Sequence, residues 1–327
     1  MAVFFQVGAG NWTFTVLVKP MTEEFNATHS QFVGALTAAA MLGAVASPLI
    51  GRIVDRYGAR VVITACLLFF GLMLILTSRI SALWQFYLFY SVGMGLAQSG
   101  VLMVGGQVVA ANWFIRKRGI AFATLFAATS ATGVVFTLIA QEIVDWRDWR
   151  MVWLTMGLAI ILVPAPLAWL VIKRRPEDIG SRPDGDTDTA PASRGEASRG
   201  TRNPLVNTTE VIWTLREATR TRTFWLLNFS LLLITFPGAG VITVMHPYFT
   251  DEGISSGRAA QLVSFYAFSS LLGTVFWGIL AQLLSVRGLL VPWALSYGAS
   301  ITLLVLVGGS SVPLIYLTLF PLGISVI

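Results

Sequence analysis

The sequence predicts an all-α integral membrane protein. Of its 327 residues, 55% are hydrophobic and only 12% are charged, whereas soluble globular domains carry about 25% charged residues. The apolar residues form runs of about 20 residues, the length that a helix needs to cross a bilayer. Only helices and closed barrels satisfy their backbone polar groups in lipid, and these runs lack the alternating polarity of barrel strands.

Ten apolar segments follow one another along the chain, and we expect each to form one membrane-crossing helix. They cover residues 3–18, 31–53, 61–77, 83–109, 120–140, 152–172, 224–248, 262–284, 289–307 and 312–327. Six of them precede a long polar stretch and four follow it. The sequence therefore predicts an N-terminal six-helix bundle over residues 1–172 and a second bundle over residues 223–327.

The polar stretch, residues 173–222, reads "KRRPEDIGSRPDGDTDTAPASRGEASRGTRNP" over its first part. Such a composition cannot bury enough apolar surface to fold alone, so we interpret it as a cytoplasmic linker. Its end, "TEVIWTLREATRTRTFW", is typical of a short amphipathic helix on the membrane surface. An unstructured approach to the seventh segment is the alternative.

The distribution of charge predicts the orientation in the membrane. Most of the 22 lysines and arginines lie in connections after even-numbered segments, while acidic residues mark the odd-numbered ones. The positive-inside rule then places the even connections and the N-terminus in the cytoplasm. We expect a multi-pass protein of the cell (inner) membrane, whose pI of 9.8 reflects this orientation and not a nucleic-acid surface. No charge lies deep in a segment, although an intramembrane charge is the usual mark of a proton relay.

The stretch "GRIVDRYGARV" begins at the end of the second segment. Its residues Gly51, Asp55, Arg56, Gly58 and Arg60 resemble the signature between the second and third helices of the major facilitator superfamily. Glycines there allow a tight turn and a close approach of helices. The resemblance implies that the cluster holds the cytoplasmic side shut while the site faces outward. The alternative is a short basic loop that only fixes the topology.

The same resemblance implies two six-helix bundles arranged as parallel repeats. A weak copy of the signature, "GILAQLLSVRG" at residues 278–288, follows the eighth segment and fits such a repeat. Ten helices of this plan are present, so the resemblance implies two further segments beyond Ile327.

The stretch "ANWFIRKRGIAFA", residues 111–123, resembles the start of the fifth helix in bacterial monocarboxylate transporters and oxalate/formate antiporters. The matching residues are Trp113, Phe114, Arg116, Lys117 and Arg118. An interfacial tryptophan beside a plain basic anchor is the alternative. Those carriers also have a lysine in the first helix and an Asp/Arg pair in the eighth. Both are missing here, since the first segment reads "QVGAGNWTF" and the eighth carries no charge.

The resemblance further implies a substrate cavity near the midplane, between the two halves. The polar and aromatic candidates for its lining are Asn11, Trp12, Gln98, Gln261, Tyr266 and His246. The competing interpretation for the amides is an interhelical hydrogen bond worth about 0.6 kcal/mol. For His246 it is a helix-end cap in solvent. Because histidine titrates near neutrality, His246 is the best candidate for a pH-sensitive group.

These features predict a secondary active transporter of a small organic solute that works by alternating access. The resemblance favours a monocarboxylate or related organic anion, with a proton or a counter-anion as the open choice of co-substrate. Two alternatives stay open, namely a carrier of neutral amphipathic solutes and a non-transporting receptor or scaffold.

We expect no enzyme activity, cofactor or metal, because the sequence carries no GxxxxGK[ST] or HExxH motif. The one cysteine, Cys66, excludes an internal disulfide. The expected partners are the solute and membrane lipid, with no nucleic acid, and we expect a monomer.

Overall fold

The computed structural model describes residues 1–114, 118–173, 217, 219–283, 286–307 and 312–325. Over these residues the regular structure is helical throughout, which confirms the predicted all-α class. The helices are α1 (Ala2–Val7, Gly8–Trp12 and Thr13–Phe25, continuous), α2 (His29–Tyr57), α3 (Ala59–Thr77), α4 (Leu83–Trp113), α5 (Arg118–Trp146), α6 (Trp149–Val171), α7 (Arg222–Asp251), α8 (Ser256–Leu283), α9 (Val286–Val307) and α10 (Val312–Ile324).

Within the described ranges, six helices are long and apolar enough to cross a membrane by length and composition, namely α2 to α6 and α8. Two shorter apolar stretches, Val291–Leu306 and Pro313–Ile324, lie in α9 and α10. The protein is therefore a multi-pass membrane protein. Each of the ten predicted segments falls on one of these helices.

Several helices start or end outside the apolar runs that predict them, because their ends are set by capping groups and glycine. At the start of α2, Thr28 and Gln31 form a capping box, so the helix begins two residues before the predicted run. At its end, Gly58 has φ 85° and ψ 155°, a conformation that favours glycine. The turn between α2 and α3 is thus built on one of the two glycines of the predicted motif.

An aromatic cluster joins four helices of the first half. The rings of Phe86 and Tyr90 in α4 stack with their centroids 4.8 Å apart, and Phe14 of α1 stacks on Tyr90 at 5.4 Å. The ring centroid of Phe32 in α2 lies 5.1 Å from that of Phe86, and the ring centroid of Trp153 in α6 lies 5.4 Å from that of Tyr90. Because lipid is as apolar as these side chains, their close packing, and not the hydrophobic effect, holds the helices together.

The helices before the polar stretch, α1 to α6, and those after it, α7 to α10, form two groups that contact each other mainly in two places. Helix α5 packs along α8, and α1 packs against α7. We name the two ends of the molecule by residues that lie there. The Lys19 end carries Lys19, Glu24 and Asp251, and the Arg56 end carries the turn between α2 and α3.

The division into residues 1–172, 173–222 and 223–327 stays a prediction. Most of the linker and its predicted amphipathic helix lie outside the described residues. Over the described ranges, α1 to α6 pack mainly on one another, and α8 packs on α10, which in turn packs on α9.

A charged cluster fastens α1 to α6 at the Lys19 end. The Glu24 carboxylate accepts hydrogen bonds from Trp149 Nε1 at 2.6 Å and from Arg150 Nη1 at 2.9 Å. A second Arg150 nitrogen lies 2.7 Å from the other carboxylate oxygen, and it also donates to the Ile80 carbonyl at 3.4 Å. The hydrogen bond from Arg150 holds the pKa of Glu24 below its usual value.

We expect Glu24→Gln to lower the thermal stability of the purified protein in detergent by about 1 kcal/mol, the upper range for a solvent-accessible pair. Glu23→Gln is the matched control, since Glu23 is an exposed neighbour on the same helix. Because the pKa of Glu24 is lowered in the folded state, its contribution is present above the unfolded carboxylate pKa and is lost as the pH falls. The difference between the two variants should therefore shrink below about pH 4. Equal melting temperatures at neutral pH would contradict this role.

Candidate functional site

A cavity of about 380 Å³ lies between the two groups of helices. Residues from α1, α2, α4, α5, α7 and α8 line it: Val7, Asn11, Trp12, Thr15, Leu36, Ala39, Ala40, Met94, Gln98, Phe126, Thr129, Ser130, Ile242, Thr243, Ser270 and Thr274. The polar groups among them are two amides, one indole and several hydroxyls. None of these described lining residues carries a charge.

The two amides lie where α1 and α4 depart from regular α-helical geometry. Asn11 belongs to the π-helical stretch Gly8–Trp12, and Gln98 begins the π-helical stretch Gln98–Gly106. Such stretches are frequent at functional sites in helices. Within the described part of the chain neither amide has a hydrogen-bond partner. Both therefore keep their donors and acceptors for a molecule in the cavity.

Trp12 forms the wall of the cavity where three helices meet. Its indole nitrogen donates to the Thr129 carbonyl of α5 at 3.1 Å, and its ring centroid lies 6.4 Å from that of Tyr266 in α8. Gly133 of α5 makes this contact possible, since a Cβ there would lie 2.7 Å from the Trp12 ring and 2.5 Å from Ala267 Cβ. The indole therefore has a fixed position, and α5 and α8 pack so closely beside it that the space at Gly133 does not admit a Cβ.

Hydroxyl groups connect the two halves at the same level. Ser130 Oγ of α5 lies 3.1 Å from Ser270 Oγ of α8, with either able to donate. One turn further along α8, Thr274 Oγ1 donates to the Ser270 carbonyl at 2.9 Å. The wall between the halves is thus polar but neutral.

The six predicted cavity residues fall into three groups. Asn11, Trp12 and Gln98 line the cavity. Tyr266 is fully buried behind Trp12, and His246 is buried nearer the Lys19 end, so neither belongs to the lining. Gln261 is exposed and is not among the lining residues; α8 begins at Ser256, which places Gln261 in its second turn.

The lining also contains hydroxyl residues that were not predicted from the sequence, namely Thr15, Thr129, Ser130, Thr243, Ser270 and Thr274. Serine and threonine are common in membrane helices, because their hydroxyls bond to carbonyls of their own helix. A signal was nevertheless present in α8, where Ser270 and Thr274 are spaced four residues apart and therefore share one face.

The segment from Gly51 to Arg60 lies at the Arg56 end. Arg52, Asp55 and Arg56 are exposed, and a Cβ at Gly51 would meet nothing within 4 Å. The expected close helix approach at Gly51 is therefore missing from this conformation. Arg60 lies with its guanidinium 4.3 Å from the ring centroid of Trp169, which ties the start of α3 to the end of α6.

The predicted fifth-helix motif is described only in part. Trp113 is the last residue of α4, and Phe114 is its exposed C-cap. Arg116 and Lys117 lie outside the described residues, as does the side chain of Arg118.

A larger crevice of about 690 Å³ opens at the Arg56 end between the starts of α1 and α5 and the ends of α4 and α6. Its lining is apolar apart from Thr124 and backbone groups. We take the smaller cavity as the candidate site because, of these two cavities, it is the one in which polar groups from both halves converge.

The comparisons with known proteins agree with this fold. A family model described as Major Facilitator Superfamily matches residues 1–327. MFS transporter asaE of Aspergillus flavus is 30% identical over 146 residues, which make up 42% of this chain and 31% of asaE. An MFS-type transporter of Aspergillus fumigatus is 22% identical over 245 residues, 73% of this chain and 53% of that protein. The matched part thus spans about half, or less, of these relatives.

A solved structure has the same fold. It is a bacterial homolog of the human lysosomal transporter Spinster, in an inward-facing and unoccupied conformation. The TM-score is 0.66 at 19% sequence identity, over 99% of this chain and 70% of that chain. The names of these three proteins specify no monocarboxylate, so that resemblance stays a prediction.

The close contact at Gly133 leads to a testable difference between two glycines of the same interface. Gly133→Ala should lower the thermal stability in detergent by about 1–3 kcal/mol, the usual range for overpacking. Gly278→Ala is the matched control, because a Cβ there would lie 3.9 Å from Ala123 Cβ, at ordinary contact distance. Alanine has the higher helix propensity, so Gly278→Ala should leave the stability unchanged or raise it. A Gly133→Ala variant as stable as Gly278→Ala would refute the close approach.

Proposed function

The chain belongs to the Major Facilitator Superfamily, and from that premise we propose that it is a secondary transporter of a small organic solute. The observation that carries the proposal is the neutral, polar cavity between the two groups of helices. Its volume, about 380 Å³, falls within the range of about 300–1,000 Å³ that is usual for small-molecule sites. Lining residues come from both groups, so a rocking movement between them would change access to the solute.

Contacts between the two groups support a conformation that is closed at the Lys19 end. Lys19 Nζ of α1 lies 3.4 Å from Asp251 Oδ1 of α7. Ser256 Oγ, at the start of α8, donates to Gln141 Oε1 of α5 at 3.0 Å. Both contacts would have to break for the cavity to open at this end.

At the Arg56 end, apolar side chains of both groups of helices are exposed. The stripe Met41, Val45, Leu49, Ile53 and Tyr57 runs down α2 with a spacing of four residues, and all five side chains are exposed. On α7, Trp225 and Phe229 are exposed as well. We infer that this conformation gives access to the cavity from the Arg56 end, which the charge distribution assigns to the cytoplasm of the cell (inner) membrane.

In this proposal residues 1–172 and 223–327 are the two moving units. The segment with Gly51, Asp55, Arg56, Gly58 and Arg60 would close the Arg56 end in the opposite conformation. The exposure of Asp55 and Arg56 in the present one agrees with that role.

The lining favours a neutral, amphipathic solute. A charged group in an apolar, water-poor site is costly unless an opposite charge or several hydrogen bonds compensate it. No opposite charge lies among the described lining residues, and the sequence of α7 has no charge between Arg222 and Asp251. Asn11 and Gln98 would bind a carbonyl or hydroxyl group, and Leu36, Met94 and Phe126 would contact the apolar part.

A monocarboxylate is the second candidate, because Trp113 and Phe114 begin a stretch that resembles the fifth helix of those carriers. The amides and hydroxyls of the cavity are donors that could bind a carboxylate without a full positive charge.

The proposal is tested by ligand-induced thermal stabilisation of the purified protein. Two panels of probes are compared, neutral amphipathic alcohols and amides, and lactate, pyruvate and oxalate. Radiolabelled forms of the stabilising compounds are then measured for uptake into proteoliposomes. Stabilisation and uptake of neutral compounds support the proposed substrate class, and a response only to the carboxylates would overturn it. No uptake of any compound that stabilises the protein would favour a receptor over a transporter.

Three single substitutions test the site itself. Asn11→Ala and Gln98→Ala should each weaken binding of the stabilising compound by about threefold to tenfold, the effect of one lost hydrogen bond. Gln261→Ala removes the same amide from an exposed position outside the cavity, so it should bind like the unsubstituted protein. Equal affinities in all three variants would place the site elsewhere.

A further inference from the structure

His246 is a buried polar side chain that the cavity does not use. It lies in α7, five residues before Asp251, and only 1% of its surface is exposed. Neither ring nitrogen makes a hydrogen bond of ordinary geometry. Such orphaned buried polar groups are rare and call for an explanation.

The groups around His246 are already committed to other partners. From α1 it faces Lys19, whose ammonium lies 3.4 Å from the carboxylate of Asp251. On α5, Gln141 Nε2 donates to Asp145 Oδ1 at 2.8 Å. The Gln141 carbonyl oxygen accepts from Ser256 Oγ of α8 at 3.0 Å. Among these described groups His246 therefore faces a cation, while the carboxylates of Asp251 and Asp145 are engaged by Lys19 and Gln141.

A neutral imidazole is tolerated in this position, but an imidazolium is not. Protonation would place a second positive charge near Lys19 and add a second N–H group in a buried site where the backbone of Ser256 is the hydrogen-bonding group beside the ring. The cost of burying such an unpaired charge is high. Separation of α1 from α7 would admit water to the ring and remove the cost. A proton therefore binds better to a conformation that is open at the Lys19 end, and its binding shifts the population toward that conformation.

We propose that His246 is a proton-binding site that is occupied when the Lys19 end is open, so that acidification favours this opening. The proposal rests on the alternating opening proposed above. It also specifies the co-substrate, because the species whose binding is coupled to the opening is a proton and not an anion. In the binding step a water-derived proton adds to the free lone pair of one ring nitrogen, and no other bond changes.

The opening can be measured without any solute. In a Cys66→Ser background, Ser30→Cys and Ser255→Cys place spin labels at exposed positions on either side of the Lys19 end. Double electron–electron resonance spectroscopy then gives the distance between the two labels in the protein reconstituted in nanodiscs. As the pH falls from about 8 to about 5, the range over which histidine titrates, the population with the longer distance should grow. Its ratio to the closed population should change by at most about tenfold per pH unit, the limit for one proton.

Two variants assign the effect to His246. His246→Gln should abolish the pH dependence, while His29→Gln, the same change at the other histidine of the chain, should keep it. Lys19→Gln removes the cation that disfavours the protonated ring in the closed conformation, so the ratio of the two populations should change less over this pH range. A pH-independent distance in the protein with both histidines intact would overturn the proposal, and so would a response that persists in His246→Gln. If His246→Gln does not fold, an unchanged pH dependence in Lys19→Gln decides against it.

The assay also separates this inference from the proposed function. A pH-dependent opening with no solute uptake would leave the proton site standing and remove the transporter. Solute uptake with a pH-independent distance would remove only the proton site.

Discussion

The absence of charge from the helix interiors of the described structure is the constraint on which the arrangement depends. Many hydroxyls there bond to carbonyls of their own helix, as Thr13 does to Gly8 at 3.0 Å, Ser47 to Gly43 at 2.8 Å and Thr77 to Met73 at 2.8 Å. A membrane interior offers no water to satisfy polar groups, so these three hydroxyls are satisfied within their own helices. The amides of Asn11 and Gln98 differ because they face the cavity. Polarity without charge is therefore concentrated where the two halves meet.

Close packing within the first half compensates for the missing hydrophobic drive in lipid. Between α3 and α6, a Cβ at Gly71 would lie 2.8 Å from the Gly157 carbonyl oxygen, and one at Gly157 would lie 2.6 Å from that of Gly71. Small residues of this kind let the backbones approach and increase van der Waals contact. Together with the aromatic cluster around Tyr90, this packing holds α1 to α6 together by van der Waals contact. The contacts of this unit with α7 and α8 also include polar ones, such as those of Lys19 and Ser130.

Much of this architecture could be predicted from the sequence, because long apolar runs and glycine act locally. The ten helices and the turn at Gly58 are examples. The cavity lining was harder to predict, since it depends on which faces of distant helices meet. Asn11 and Gln98 stand out because amides are rare in apolar runs, whereas Ser130 and Ser270 do not. Gln261 lies outside the lining since α8 begins at Ser256, six residues before the predicted segment. The burial of His246 depends on α1, which is far away in the sequence.

The close approach at Gly133 has a mechanical consequence. Because Gly133 of α5 packs directly on the Ala267 side chain of α8 beside Trp12, this contact could act as a fulcrum in the proposed movement of the two halves. About a fulcrum at mid-depth, separating the halves at one end presses them together at the other. A continuous pore would require both ends to part at once, which would pull Ala267 away from Gly133 and leave Trp12 without its packing. In the proposed rocking movement, the same contact would thus suppress an ion leak through the membrane.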